Sequence, residues 1–222
     1  MPQTVTEQAI RIPPVGLSGD LVMPVRASGI VLFAHGSGSS RHSPRNRYVA
    51  SMLQEGGFGT LLLDLLTEPE EQVDLRTRRL RFDIGLLAGR LVEAADWLQN
   101  DPATRGLQLG FFGASTGGGA ALVAAAERPA GISAVVSRGG RPDLAGVALG
   151  RVQSPTLLIV GGEDSQVIQL NREALAQLRC EKELSIVPGA THLFEEPGAL
   201  EEVSRLALNW FRRHLGEPER QP

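Results

Sequence analysis

The segment Leu109-Gly-Phe-Phe-Gly-Ala-Ser-Thr-Gly-Gly-Gly-Ala-Ala121 decides the fold, because in it an apolar β-type stretch passes directly into a helix of small residues. Its centre, Gly113-Ala114-Ser115-Thr116-Gly117, has the Gly-x-Ser-x-Gly form of a nucleophile elbow. A serine on so sharp a turn has a strained backbone, and the residues two before and two after it must be small for neighbouring chain to pass. The segment therefore predicts a strand, a nucleophilic Ser115 and a helix.

Length and composition are those of an ordinary globular protein. The 222 residues suit one domain, which we expect to span residues 1–222 with a frayed tail over 216–222. Hydrophobic residues make up 42% of the chain, charged residues 21%, and the net charge is -3. So small a charge gives no electrostatic reason to expect nucleic acid or an anionic membrane as a partner, and we expect neither.

The N-terminus and the cysteine content indicate a cytoplasmic protein. The first residues lack the basic start and apolar core of a signal peptide, and no apolar run approaches the ~20 residues of a membrane helix. Cys180 is the only cysteine, so an intrachain disulfide and a cysteine-rich metal site are both excluded. Cys180 lies in a charged stretch with no elbow around it, which favours an incidental thiol over a catalytic one.

Short apolar runs alternate with longer helical stretches, the pattern of βαβ units around a mostly parallel sheet. Strands are predicted at Val5–Ile12, Gly16–Met23, Ile30–Ala34, Phe58–Leu65, Leu107–Ala114, Ile132–Ser137, Thr156–Val160 and Glu183–Val187. Helices are predicted at Pro44–Gly56, Thr116–Glu127, Val167–Leu178 and Glu201–His214, and a further long helix is predicted to end at Asn100. A polar connection rich in Arg and Glu, Thr67–Arg81, precedes the helix that ends at Asn100.

Chemically useful side chains follow several of these strands. Ser115, Asp164 and His192 each come after a predicted strand, and the carboxyl ends of parallel strands meet at one rim of the sheet. A serine hydroxyl is a poor nucleophile at neutral pH, so it needs a base of pKa near ~6.5 and a third group that orients the base. These three residues supply such a set in the chain order Ser, Asp, His.

With these motifs the chain resembles the α/β-hydrolase fold, and specifically dienelactone-hydrolase-like proteins. The resemblance covers nearly the whole chain and rests on the elbow, Gly161-Gly162-Glu163-Asp164, Pro188–Phe194 and His35-Gly36-Ser37-Gly38. It implies an α/β protein with a mostly parallel twisted sheet of about eight strands, helices on both faces, and little or no cap domain. Dienelactone hydrolases proper have cysteine at the elbow, so Ser115 favours general esterase chemistry over a dienelactone substrate.

The resemblance also implies an oxyanion hole made of two backbone N–H groups, one after the nucleophile and one in the loop after the third strand. Thr116 and Ser37 match those positions. The sequence leaves open whether Ser37, Gly38 or Ser39 contributes the loop N–H.

Other residues compete for the catalytic roles. The histidine alternatives are His35, which we expect to shape its own loop, His42, expected in solvent, and His214, expected to cap the last helix. Glu163 and Asp64 are the acids that compete with Asp164.

Arg138 and His42 are the candidates for substrate binding. Arg138 follows a strand and could hold a substrate carboxylate, or it could tie its loop to Asp143 or another acid. The connection also carries several arginines, which we expect on a solvated helix face and not at the site: Arg76, Arg78, Arg79 and Arg81.

The sequence thus predicts a serine carboxylesterase for a small-molecule, short-chain ester, with an acyl-enzyme intermediate and neither metal nor cofactor. Hydrolysis of lactones or thioesters and acyl transfer are alternatives on the same triad. A catalytically silent homologue that binds a ligand or partner is an alternative of another class. We expect a monomer or small homo-oligomer.

Overall fold

A computed structural model describes residues 5–216, and its eight strands form one sheet. The strands are β1 Val5–Ile12, β2 Leu17–Pro24, β3 Ile30–Ala34, β4 Gly59–Leu63, β5 Leu109–Ala114, β6 Ala134–Arg138, β7 Thr156–Gly161 and β8 Lys182–Val187. The helices are α1 Pro44–Glu55, α2 Glu68–Thr77, α3 Ile84–Asn100, α4 Thr116–Glu127, α5 Ser165–Gln177 and α6 Ala199–Leu215. Short 3-10 segments cover Leu80–Phe82 and Pro142–Arg151.

The strand order is β1-β2-β4-β3-β5-β6-β7-β8. β1 and β2 pair antiparallel and β2 joins β4 antiparallel, whereas every later pairing is parallel. This confirms the predicted mostly parallel sheet of eight strands.

Both faces of the sheet are buried under helices. Along β3, Ile30, Leu32 and Ala34 join the core beneath α3, α4 and α5, while Val31 and Phe33 join the core beneath α1 and α6. Continuous apolar strands are what a parallel sheet covered on both faces requires. Of the helices within residues 5–216, none is both long and apolar enough to cross a membrane.

The connection Thr67–Arg81 contains a helix, α2, that was not among the predicted helices, although a solvated helix face was expected for its arginines. The Thr67 side chain accepts from the Glu70 N–H, and the Glu70 carboxylate accepts from the Thr67 N–H, which closes a capping box. The 3-10 segment Pro142–Arg151 was also not predicted. The predicted frayed tail, 216–222, lies outside the described residues apart from Gly216.

The elbow is the point of closest backbone packing. Ser115 has φ 51° and ψ -121°, in the region that L-residues rarely adopt. A Cβ on Gly113 would lie 2.5 Å from the Gly117 carbonyl oxygen, and one on Gly117 would lie 2.6 Å from that of His35. Both glycines are therefore required for α4 to start against β3 and β5.

We expect Gly113→Ala and Gly117→Ala each to lower the free energy of unfolding by about 1–3 kcal/mol or more, because the added methyl meets backbone that cannot move aside. Gly89→Ala is the matched control: it lies inside α3 with open space around it, and should raise stability by about 1 kcal/mol. Urea denaturation measures all three. A Gly117→Ala protein as stable as the parent would contradict the packing described.

Candidate active site

Ser115 lies between the end of β5 and the start of α4, and it is held by the last residue of β6 and the chain that follows β6. Its N–H donates to the carbonyl of Arg138 at 3.2 Å, and its carbonyl accepts from the N–H of Arg141 at 3.0 Å. The residue itself is partly exposed. The backbone is thus fixed on both sides while the hydroxyl stays accessible.

His192 and Asp164 are hydrogen-bonded to each other. Nδ1 of His192 lies 2.6 Å from Oδ2 of Asp164, and since a carboxylate accepts, the imidazole donates through Nδ1–H. The Asp164 side chain is 15% exposed and that of His192 is 39% exposed. This contact fixes the tautomer and leaves Nε2 free to take a proton.

The two loops that carry this pair pack closely on each other. The Gly162 N–H donates to the Val187 carbonyl at 2.8 Å, and the Glu163 N–H donates to the Ala190 carbonyl at 3.0 Å. A Cβ on Gly161 would lie 2.6 Å from the Thr191 carbonyl oxygen. The position of His192 relative to Asp164 is therefore set by backbone contacts.

A cavity of about 250 Å³ brings Ser115 and His192 together. Its lining includes Ser37, Arg45 and Arg138, so three separate parts of the chain meet at the predicted nucleophile. A second cavity of about 140 Å³ also contacts Ser37. The two cavities therefore adjoin at the loop after β3.

The second cavity is enclosed partly by α2 and the 3-10 segment after it. It is lined by Thr116 together with Leu65, Leu75 and Leu87, which gives it an apolar wall. Arg81 also lines it, donating through Nε to the buried Asp74 carboxylate at 2.5 Å. Arg76, Arg78 and Arg79 are exposed.

Backbone donors are available where the oxyanion was predicted. The N–H groups of Ser37, Gly38 and Thr116 have no acceptor among the described residues. The Ser39 N–H instead donates to the Gly36 carbonyl at 3.2 Å. Of the three loop residues considered for the predicted oxyanion hole, Ser37 and Gly38 therefore have an N–H group available.

The competing acids and histidines are engaged elsewhere. Asp64 accepts hydrogen bonds from the backbone and guanidinium of Arg41, and Glu163 is exposed. His214 lies at the end of α6, 3.7 Å from the carboxylate of Glu181. None of these residues contacts the cavity that holds Ser115.

His35 shapes the loop that carries Ser37. Its Nδ1–H donates to the Gly36 carbonyl at 2.9 Å, and its Nε2 accepts from the Leu65 N–H at 3.1 Å. Burial lowers the pKa of His35, outweighing the hydrogen bond to Gly36 and the charges of Asp64 and Glu71. The imidazole is therefore neutral in the folded protein.

The two predicted substrate-binding residues differ. His42 is exposed and does not line the cavity, as expected for a solvated loop residue. Arg138 lines the cavity, and the alternative that it ties its loop to Asp143 is wrong, because Arg141 pairs with Asp143.

Sequence reasoning missed Arg45 and Asn46, which line the cavity from the first turn of α1. Their signal was Ser43-Pro44, an N-cap followed by proline, which starts this helix at the rim.

A sheet of this order, with a nucleophile elbow after β5 and an Asp–His pair on later loops, defines the α/β-hydrolase fold. The family model for the dienelactone hydrolase family matches residues 19–215, and the chain belongs to that family. The chain is similar to "Dienelactone hydrolase" from Anabaena variabilis, whose structure has been solved. It is 62% identical, with a TM-score of 0.93, and the match covers 97% of this chain and 100% of that one.

The chain is also similar to two other groups of proteins, in one case over only part of their length and in the other at low identity. Proteins named "Putative phosphoribosyl transferase" in two strains of Mycobacterium tuberculosis are 59% identical over 205 residues, 92% of this chain. The chain spans only 45% of their length, so that name assigns no phosphoribosyl transfer to it. Est1E from Butyrivibrio proteoclasticus shares the fold at 16% identity and a TM-score of 0.75, covering 92% of this chain and 98% of Est1E.

The neutral state of His35 predicts a pH dependence of stability. The unfolded chain gains a proton on this residue below about pH 6.5, whereas the folded protein resists it, so the free energy of unfolding should fall as the pH drops below 6.5. His35→Gln removes this linkage. Urea denaturation between pH 5 and 8 should show a parent-minus-variant difference that is constant above pH 7 and decreases below 6.5. A difference independent of pH would contradict the assignment.

Proposed function

We propose that this hydrolase cleaves carboxylic esters of small or short-chain acids through a covalent acyl-enzyme. The observation that carries the proposal is the meeting, in one cavity, of Ser115 on its strained elbow with His192, whose Nδ1 is held by Asp164. Two cavities of about 140 and 250 Å³ beside the predicted oxyanion donors support a small substrate.

In the proposed reaction, Ser115 Oγ attacks the ester carbonyl while His192 Nε2 takes its proton. The N–H groups of Thr116 and Ser37 donate to the oxyanion, at the start of α4 where the helix dipole also favours negative charge. His192 then gives the proton to the departing alcohol. Water, deprotonated by the same histidine, releases the acid and restores Ser115.

Lactone or thioester hydrolysis and acyl transfer use the same acyl-enzyme and differ only in the group that donates or accepts the acyl chain. Added alcohols separate transfer from hydrolysis, because a transferase partitions the acyl group to the alcohol. We also propose a cytoplasmic monomer or small homo-oligomer without a nucleic-acid or membrane partner; the single Cys180 and the small net charge support this.

Ser115→Ala should reduce kcat on nitrophenyl acetate or butyrate about 10⁴-fold or more, because it removes the one hydroxyl that stands on the elbow and that His192 is proposed to activate. Cys180→Ala is the control: this thiol is half-buried, its pKa is raised by burial, and its loss should leave the rate within about twofold. Activity across acyl chains of two to ten carbons should peak at the short end. Activity retained by folded Ser115→Ala protein would refute the nucleophile.

Asp164→Asn should lower kcat by about 10³–10⁴-fold, because an amide can hold the imidazole in the wrong tautomer and cannot stabilise its charged form. The neighbouring carboxylate provides the comparison: Glu163→Gln removes an exposed acid and should change kcat by less than about twofold. If kcat in Asp164→Asn also changed by less than about twofold, the Asp164–His192 contact would have no catalytic role.

A further inference from the structure

The chain at the end of β6 holds the backbone of the nucleophile on both sides. The carbonyl of Arg138, the last residue of β6, accepts from the Ser115 N–H, and the Arg141 N–H donates to the Ser115 carbonyl. Neither contact involves the serine side chain. Residues 138–141, which we call the β6 loop, therefore fix the elbow without restricting the hydroxyl.

The β6 loop also lies against His192. Gly139 is buried, and its N–H donates to the carbonyl of Ile159 in β7 at 2.7 Å. A Cβ on Gly139 would lie 3.2 Å from the His192 carbonyl oxygen and 3.6 Å from Cε1 of its imidazole. Cε1 is the ring carbon between Nδ1, which Asp164 holds, and Nε2. Gly139 thus lies between β7, the strand before Asp164, and the ring of His192.

The turn that carries His192 is confined on its other side by Phe194. The Phe194 N–H donates to the Thr191 carbonyl at 3.2 Å, so His192 is a corner residue of a tight turn. Phe194 has φ 56° and a buried ring. The Arg138 guanidinium, which is buried and pairs with none of the described carboxylates, lies 5.7 Å from the centroid of that ring. A Cβ on Gly139 would lie 3.4 Å from Cε2 of Phe194, so the turn has little room toward the β6 loop.

We propose that Gly139 is a positioning residue for the reaction. Because it has no side chain, the β6 loop contacts Ser115 and His192 at once, and it thereby sets the separation of the hydroxyl and the imidazole. The inference rests on the proposed ester hydrolysis, since it concerns the transfer of a proton from Ser115 to His192. Gly139 lines neither of the two cavities described above, so it acts through His192 and not through the substrate.

The physical basis is the steep dependence of proton transfer on geometry. A displacement of about 1 Å can lower a rate about 100-fold. A methyl group at position 139 would crowd the His192 carbonyl, and the turn would have to move by a few tenths of an ångström. The nucleophile side of the loop is held by two backbone hydrogen bonds, so the movement falls on His192.

The first test is the kinetics of Gly139→Ala on nitrophenyl acetate. We expect kcat to fall about tenfold or more and KM to stay within about threefold, because the substrate does not contact this position. Gly146→Ala is the matched control: Gly146 also has positive φ, 49°, but no described atom lies within 4 Å of an added Cβ. Its kcat should stay within about twofold of the parent.

Gly139→Asn guards against a variant that fails to fold. Asparagine adopts positive φ more readily than alanine does, yet its Cβ meets the same atoms. This variant should have a thermal midpoint close to that of Gly146→Ala and still lose at least about tenfold in kcat. A kcat equal to that of Gly146→Ala in both Gly139 variants would overturn the proposal.

A double-mutant cycle tests whether the effect passes through His192. The residual rate of His192→Ala protein, after subtraction of spontaneous hydrolysis, does not use the imidazole. In that background Gly139→Ala should therefore change the rate by less than about twofold. An equal loss in the two backgrounds would give Gly139 a merely structural role and would overturn the proposal.

Nuclear magnetic resonance tests the contact without a substrate. The chain has four histidines, and the Cε1–H resonance of His192 is identified by its loss in His192→Ala. This resonance should move in Gly139→Ala and stay in place in Gly146→Ala. A moved resonance in a protein that cleaves no ester would reject the proposed hydrolysis alone. An unmoved resonance in a protein that cleaves esters would reject the positioning role alone, and failure of both would reject both.

Discussion

The close backbone contact at the elbow is the constraint on which the site depends. Without side chains at Gly113 and Gly117, α4 starts directly against β5 and the loop after β3. One contact thereby fixes Ser115 at the rim, aims the N-terminus of α4 at the same point, and sets the His35–Ser39 loop beside it. The nucleophile and the predicted oxyanion donors are consequences of packing, which is why helix-unfavourable glycines stand where a stable helix would have alanine.

The other half of the site is held by a second backbone contact. The loops after β7 and β8 are joined by hydrogen bonds and by the absence of a side chain at Gly161, which places Asp164 against His192. Against this rigid frame the unpaired charge of Arg138 is an exception to local consistency. Such exceptions are concentrated at functional sites, and the strained elbow and the unpaired arginine both lie at the cavity that holds Ser115.

Much of the fold was predictable from sequence because it depends on local patterns. The five central strands, β3 to β7, are short and mainly apolar runs that are buried throughout, and the Gly-x-Ser-x-Gly spacing is itself a backbone requirement. The helix α2 was missed because its Arg and Glu residues show little apolar periodicity, although Thr67 and Glu70 are spaced as a capping box. Arg45 and Asn46 were missed for a different reason: Asn46 meets Arg138 across 92 residues of chain, and no local pattern reports such a contact.

Whether Ser115 is an activated nucleophile is tested most directly by labelling with an alkyl fluorophosphonate, followed by peptide mass spectrometry. We expect stoichiometric modification of Ser115 in the folded protein and none after denaturation, because activation requires the elbow and His192 together. Folded protein that stays unlabelled, or that is labelled at another residue, would contradict it.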